Sequence, residues 1–167
     1  PLKAEKHYVE TKTHDGKAKK LDIGFVGKVT SIDKEKFLNL CNACTIPVVP
    51  PIAKGNNGDV YNVNADNVAA FIATALCAEK LVFLSNTNGI MTEPNDETSI
   101  ASTLHEDEVH TLIQKKIIGG GMLPKALACI QALKGGVKKA HIINGLIPHA
   151  LLLEIFTEKG VGTQIII

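Results

Sequence analysis

Very little charge of one sign separates the 167 residues from neutrality: 18 Lys and Arg stand against 17 Asp and Glu, for a net charge of +1. Such a balance gives no electrostatic footing for nucleic acid or for an anionic membrane surface, and no partner of either kind is expected. Long hydrophobic runs are also missing. The longest, Val68 to Ala78, is too short to span a bilayer and meets Glu79-Lys80 at once. No secretory signal is recognised, so the expected location is the cytoplasm, or an organellar stroma or matrix in a eukaryotic cell. Tryptophan is absent and aromatics make up only 4%, while 14 glycines and ordinary hydrophobic content fit a soluble α/β protein.

Several catalytic signatures are missing as well. Cys41-Asn42-Ala43-Cys44 is a C-x-x-C without a second pair, at the end of a predicted helix. That does not make a zinc or redox site, and the four cysteines are expected as free thiols. No Ser/His/Asp arrangement and no carboxylate dyad is recognised. His149 could serve catalysis in principle, whereas His141, inside a strand pattern, reads as a core histidine with its ring satisfied. The chain begins at Pro1 without Met; the expectation is that its start has been removed or that it is a fragment.

What is present alternates. His7 to Thr13 and Leu21 to Ser31 read as strands joined by a turn at His14-Asp15-Gly16, with Lys17, Lys19 and Lys20 as a solvated hairpin edge. Gly24 and Gly27 suggest a bulge or a close backbone approach. A helix from Lys34 to Ala43, capped by Asp33, leads to a strand Ile46 to Val49 stopped by Pro50-Pro51. A turn at Gly55 to Asp59 follows. A helix from about Ala65 to Ala78 precedes Leu81 to Leu84, an apolar run of the kind buried on both faces of a parallel sheet. Glu106 to Lys116 is amphipathic, and a helix to about Leu133 is closed by Gly135-Gly136. Ala140 to Ile143, a short helix Ala150 to Phe156 and a last strand Gln164 to Ile167 complete the pattern. Strands alternating with helices predict a largely parallel sheet with helices on both faces.

Two stretches carry candidate chemistry. In Tyr61-Asn62-Val63-Asn64-Ala65-Asp66, polar side chains alternate with apolar ones and run into a helix start, so Asn62 or Asn64 would cap it and Asp66 would sit in the first turn. A cap explains these residues fully; a polar cluster at a strand-to-helix junction is also where α/β proteins bind ligands. In Gly119-Gly120-Gly121-Met122-Leu123-Pro124-Lys125, glycine permits close backbone approach and the following helix offers free N–H groups to an anion. Lys125 opposes the helix dipole at a cost of only a few tenths of a kcal/mol, so chance could place it there. A phosphate ligand would favour it. Neither the P-loop nor the dinucleotide-binding spacing matches. Ser85-Asn86-Thr87-Asn88-Gly89 is a polar loop at a strand's carboxyl end.

Taken with Leu21 to Gly27, Ile46 to Val49, His141-Ile142-Ile143-Asn144-Gly145, Pro148 to Glu154 and Gly160-Val161-Gly162-Thr163, these stretches resemble the acetylglutamate kinases of the amino acid kinase family. The resemblance covers nearly the whole chain and matches the C-terminal half of those enzymes. It implies a three-layer αβα sandwich whose N-terminal half is missing here, with residues 1–78 from the acyl-substrate lobe and 79–167 as the nucleotide-binding lobe. It implies phosphorylation of the γ-carboxylate of N-acetyl-L-glutamate by ATP, with Mg2+ carried on the nucleotide, in arginine biosynthesis. Asn62 and Asn64 would bind the acyl substrate, and Asp66 would orient two lysines. One of those, Lys125, would neutralise the phosphoryl group in flight. Ser85, Asn86, Asn88, Gly89, Ile90 and Met91, with Ile118, Gly119, Gly120, Gly121 and Met122, would contact the nucleotide; no protein metal site is implied. A homo-oligomer is expected of the full-length form.

Three departures stand out. The family's usual Asp is Asn86, and its Val-Pro is Thr87-Asn88. Its Asp-Gly-Arg is Asn144-Gly145-Leu146. Lys159 stands where arginine-inhibited relatives tend to have an acid, which bears on control by arginine or a regulatory protein. With the glycine-rich loop and second lysine of the family outside these residues, the fragment alone is expected to be inactive. The alternative is a non-catalytic nucleotide-binding or regulatory module of the same fold. A carbamate or aspartate kinase is a third reading, against which the His-Ile-Ile and Pro-His-Ala-Leu-Leu-Leu-Glu motifs speak.

Overall fold

In chain order the elements are β1 (Leu2–Lys12), β2 (Ala18–Ile32), α1 (Lys34–Asn42), β3 (Ile52–Lys54), β4 (Val60–Val63), α2 (Ala65–Ala75) and β5 (Lys80–Ser85). Then come β6 (Thr103–His105), α3 (Glu106–Gln114), α4 (Met122–Lys134), β7 (Lys139–Asn144), α5 (Ala150–Phe156) and β8 (Thr163–Ile166). The computed structural model describes residues 2–12, 18–94, 96–157 and 160–167. The predicted turn at His14-Asp15-Gly16, together with Lys17 and Lys159, lies outside the described residues. By contact the chain divides into two compact units, 1–72 and 73–167.

In the first unit, β1 and β2 pair antiparallel and are longer than the predicted strands. Their register breaks where Lys6 faces Gly27 but Tyr8 faces Asp22, leaving four β2 residues unmatched. Gly24, at φ 85°, makes the reversal there. The Asp22 carboxylate holds the irregularity, accepting from the Gly24 N–H at 2.8 Å and from the Lys6 ammonium at 2.6 Å. Both predicted glycine roles occur, because a Cβ on Gly27 would lie 2.7 Å from that of Tyr61. Strand β4 pairs parallel with β2 and antiparallel with β3, and β3 meets β1, so the pairings close on themselves. Leu2, Ala4, Val29, Ala53, Tyr61, Val63 and Val68 fill the core.

The expected strand Ile46 to Val49 is not formed. Pro47 and Pro50 remove two ladder donors, and no described strand pairs with the segment. Ile46 and Val48 are left 87% and 92% exposed, while Val49 packs on the core. The strand lies instead beyond the proline pair, at Ile52–Lys54.

The second unit is a four-stranded sheet in the order β5-β7-β8-β6. Strands β5 and β7 are parallel, as are β6 and β8, but β7 and β8 run antiparallel, so the sheet is mixed. Phe83 and Ile142 are register partners and share a face, and Lys125 of α4 sits over the Phe83 ring. His141, paired with Val82 and Gln164, points to the other face, where it meets Glu154 of α5. Helices therefore cover both faces. Ala126, Ala128, Cys129 and Ala132 let α4 lie close, each at most 1% exposed, and Gly136 at φ 101° follows its end. Glu108 caps α3 by accepting from the His105 N–H, and Val109 and Leu112 are its buried stripe.

Gly162 sits where a Cβ would come 2.3 Å from the Ile142 carbonyl oxygen and 2.9 Å from the Ile143 Cα. Backbone cannot yield as a side-chain tip can. Gly162→Ala is expected to destabilise the chain by about 1–3 kcal/mol, the range for overpacking, read as a lower midpoint in urea. An unchanged midpoint would show that β7 and β8 are not this close.

Candidate functional site

The sequence Tyr-Asn-Val-Asn-Ala-Asp folds as its alternation requires. Tyr61 and Val63 are each 3% exposed and turn into the core, which sends Asn62 and Asn64 outward. Asn64 is the cap of α2: its Oδ1 accepts the Asn67 N–H at 3.0 Å. Asp66 sits in the first turn, half-buried, where a carboxylate meets the positive end of the helix. A cavity of about 320 Å³ in the same unit is lined by His7, Val26, Gly27, Val63, Asn64 and Asn67. Asn64 therefore borders open space as well as capping, whereas Asn62 lies outside that lining. Lys28 and Val29 complete that lining.

In the second unit the loop after β5 is tied at several points. Ser85 Oγ lies 3.3 Å from Thr87 Oγ1, and the Ser85 carbonyl accepts the Gly145 N–H at 2.8 Å. Asn144 donates from Nδ2 to Asn88 Oδ1 at 2.7 Å, and its own Oδ1 accepts the Leu146 N–H. Ile90, 1% exposed, gives its N–H to Thr163 Oγ1 at 2.8 Å. Asn86, Thr87 and Asn88 stay exposed and Gly89 is buried; Met91 bridges to Ile100. Sequence reasoning picked out the loop but missed Asn144 and Thr163 as its supports. Each carried a faint signal, Asn144 as a departure from the family pattern and Thr163 as the end of a glycine motif.

The glycine element lies between α3 and α4. Ile118 is buried at 3%, and the three glycines after it are exposed. A Cβ on Gly119, Gly120 or Gly121 would meet nothing within 4 Å, so packing does not demand glycine there. Gly120 at φ 51° uses the conformational freedom. Met122 opens α4, its N–H bonded to the Gly119 carbonyl at 3.1 Å. Lys125 lies one turn in, its ammonium 5.5 Å from the centre of the Phe83 ring. That contact brings the lysine beside β5 two residues before Ser85. Asp66 belongs to the first unit and Lys125 to the second.

On the opposite face of the sheet a cavity of about 620 Å³ is lined by Lys80, Lys139, His141, Glu154, Gly162 and Gln164, among others. His141 Nδ1 and Glu154 Oε1 are 2.6 Å apart, with side chains 5% and 7% exposed. Glu154 Oε2 accepts the Val161 N–H at 2.7 Å. His141 is only half satisfied, which corrects the expectation: its Nε2 is buried and, among the described residues, has no hydrogen-bond partner. A neutral ring with its proton on Nδ1 fits, because a second N–H would be buried unbonded. Burial holds the imidazole below its ordinary value, against the raising effect of Glu154; Lys80 and Lys139 add to the lowering. His149 stands at the start of α5 at φ 61° with no side-chain cap bond. None of the four cysteines is in a disulfide, and among the described residues no group of three or more His, Cys, Asp or Glu converges to hold a metal. No helix among them is long and apolar enough to cross a membrane.

The model of the amino acid kinase family matches residues 2–144. The acetylglutamate kinase of Halothermothrix orenii is 49% identical over 148 residues, 89% of this chain and 51% of that protein. That of Heliobacterium modesticaldum is 43% identical over 165 residues, 99% of this chain and 56% of that protein. The chain thus spans about half the length of the curated relatives it matches. Among solved structures, N-acetylglutamate synthase from Neisseria gonorrhoeae, complexed with coenzyme A and L-arginine, superposes with a TM-score of 0.83 at 29% identity. The match covers 99% of this chain and 36% of the synthase.

The buried histidine gives a pH test. Its folded-state value is depressed, so the unfolded chain takes up the proton first as pH falls through about 6.5. The stability this group contributes is fully present above that pH and is lost below it. The melting temperature should fall between pH 7.5 and 5.5 more steeply in the wild type than in His141→Asn, which keeps a donor toward Glu154. Equal slopes would contradict a neutral His141.

Proposed function

This chain belongs to the amino acid kinase family, and we propose from that premise that it is part of an acetylglutamate kinase. The reaction is transfer of the γ-phosphoryl of ATP to the γ-carboxylate of N-acetyl-L-glutamate, in arginine biosynthesis. The observation that carries this is identity of 49% and 43% to enzymes of that name along most of the chain. Phosphoryl transfer asks a protein for positioning and charge neutralisation more than for covalent chemistry. Each candidate group suits one of those tasks. Asn62 and Asn64 bind the acylated amino acid through their amides, and Asp66 orients a catalytic cation. Lys125 neutralises charge on the transferring group. The loop Ser85 to Met91 and the segment Ile118 to Met122 hold the nucleotide, with backbone N–H groups at the start of α4 facing phosphate. Mg2+ would travel on the ATP phosphates and offset their charge.

Residues 1–78 belong to the acyl-substrate lobe and 79–167 to the nucleotide lobe of a three-layer αβα fold, of which the curated relatives have about twice this length. A homo-oligomer, control by L-arginine or a regulatory protein, and a cytoplasmic or organellar location belong to the same proposal.

One observation favours a second reading, a module that keeps the fold without kinase chemistry: the TM-score of 0.83 is to a synthase. The position of Lys125 beside β5 favours the kinase. The test is Lys125→Ala in the longest natural polypeptide that contains these residues, assayed for ADP release dependent on N-acetyl-L-glutamate. Loss of about 3 kcal/mol of transition-state stabilisation, or roughly a hundredfold or more in kcat, is expected with the circular dichroism spectrum unchanged. Unchanged turnover would remove the role of Lys125, and ATP binding without turnover in the parent would establish the module.

A further inference from the structure

We propose that Thr163 and Asn144 are positioning residues that set the loop Ser85 to Met91 in its ligand-ready shape before any nucleotide arrives. The inference rests on the reading that this loop contacts the nucleotide. Thr163 is 0% exposed, and its hydroxyl is used twice, accepting the Ile90 N–H at 2.8 Å and donating to the Ala101 carbonyl at 2.7 Å. Ala101 closes the circuit by giving its N–H to the Ile90 carbonyl at 3.0 Å. Gly89 passes directly over this hydroxyl: at φ 139°, a Cβ there would sit 2.6 Å from Thr163 Oγ1. A side chain at position 89 would therefore collide with the Thr163 hydroxyl.

The near end of the loop is held from β7. Asn144 is oriented by both ends of its amide, Oδ1 accepting the Leu146 N–H at 2.8 Å and Nδ2 reaching Asn88 Oδ1 at 2.7 Å. The neighbouring Gly145 N–H bonds the Ser85 carbonyl. Ser85, Asn88 and Ile90 are thus fixed from outside the loop, and Asn86 and Thr87 are presented to solvent between them. The supports from Asn144 and Thr163 reach Asn88 and Ile90 from 56 and 73 positions away in sequence. A loop fixed before binding avoids the ordering cost that a free one meets on binding. Releasing either support should therefore appear as lost affinity even in a chain that is still folded.

The experiment is calorimetric titration of MgATP into the wild-type chain, Thr163→Val, Thr163→Ser and Asn144→Ala, each well below its own melting temperature. Valine keeps the shape of threonine but leaves the Ile90 N–H and the Ala101 carbonyl unbonded; serine restores the hydroxyl. Kd should rise at least tenfold in Thr163→Val and at least threefold in Asn144→Ala, and Thr163→Ser should stay within threefold of wild type. Amide exchange at Ile90 should quicken in Thr163→Val. Both weakened variants binding within twofold of wild type would overturn the positioning role and leave the nucleotide reading standing. A wild-type chain that does not bind MgATP would overturn both. If Thr163→Val does not fold, the exposed Asn144–Asn88 pair decides the matter alone.

Discussion

The parallel pairing of β5 with β7, from Lys80 opposite Lys139 to Ser85 opposite Asn144, decides where the rest of the second unit can go. Parallel strands bring their carboxyl ends to one edge. The loop after Ser85 and the turn after Asn144 are therefore neighbours, and their polar side chains find each other. Alternation across the same pair sends Phe83 and Ile142 toward α4, and Val82 and His141 toward α5. The antiparallel return of β8 then carries Thr163 to Ile142, close enough to catch the Ile90 N–H. A shift of one residue in this register would exchange the two faces and undo every one of these contacts.

Two faces, two chemistries result. On one, Lys125 stands over Phe83, and the three open glycines face space that no described side chain fills. On the other, a buried imidazole and carboxylate line a cavity of about 620 Å³ at the amino ends of β5 and β7. In open α/β sheets ligands gather outside the carboxyl ends of strands, which favours the first face for the nucleotide. The first unit contributes in a different way, through the buried Tyr61 and Val63 that turn Asn62 and Asn64 outward at a helix start.

Much of this was legible in the sequence, for identifiable reasons. Continuous apolar runs read correctly as β5 and β7, and the caps Asp33 and Asn64 were visible because capping is a local property. The bulge at Gly24 and the close approach at Gly27 were both signalled by glycine in a strand. What failed was non-local. Ile46 to Val49 has strand composition, but a strand needs a neighbour, and apolar character says nothing of whether one is there. The three-residue strands β3 and β6 carry too few residues for periodicity to register. The antiparallel β7–β8 pair was hidden because alternating helices suggest parallel connections alone. In the candidate site, residue types marked Lys125 and the glycines, while the supports from Thr163 and Asn144 depend on tertiary register that no spacing reveals.

The most direct test of the account is to find where nucleotide lands. In an amide-resolved NMR titration with MgATP, the largest shifts should fall in Ser85 to Met91 and Ile118 to Met122. Shifts confined to Lys80, Lys139, His141 and Glu154, on the other face of the sheet, would contradict it.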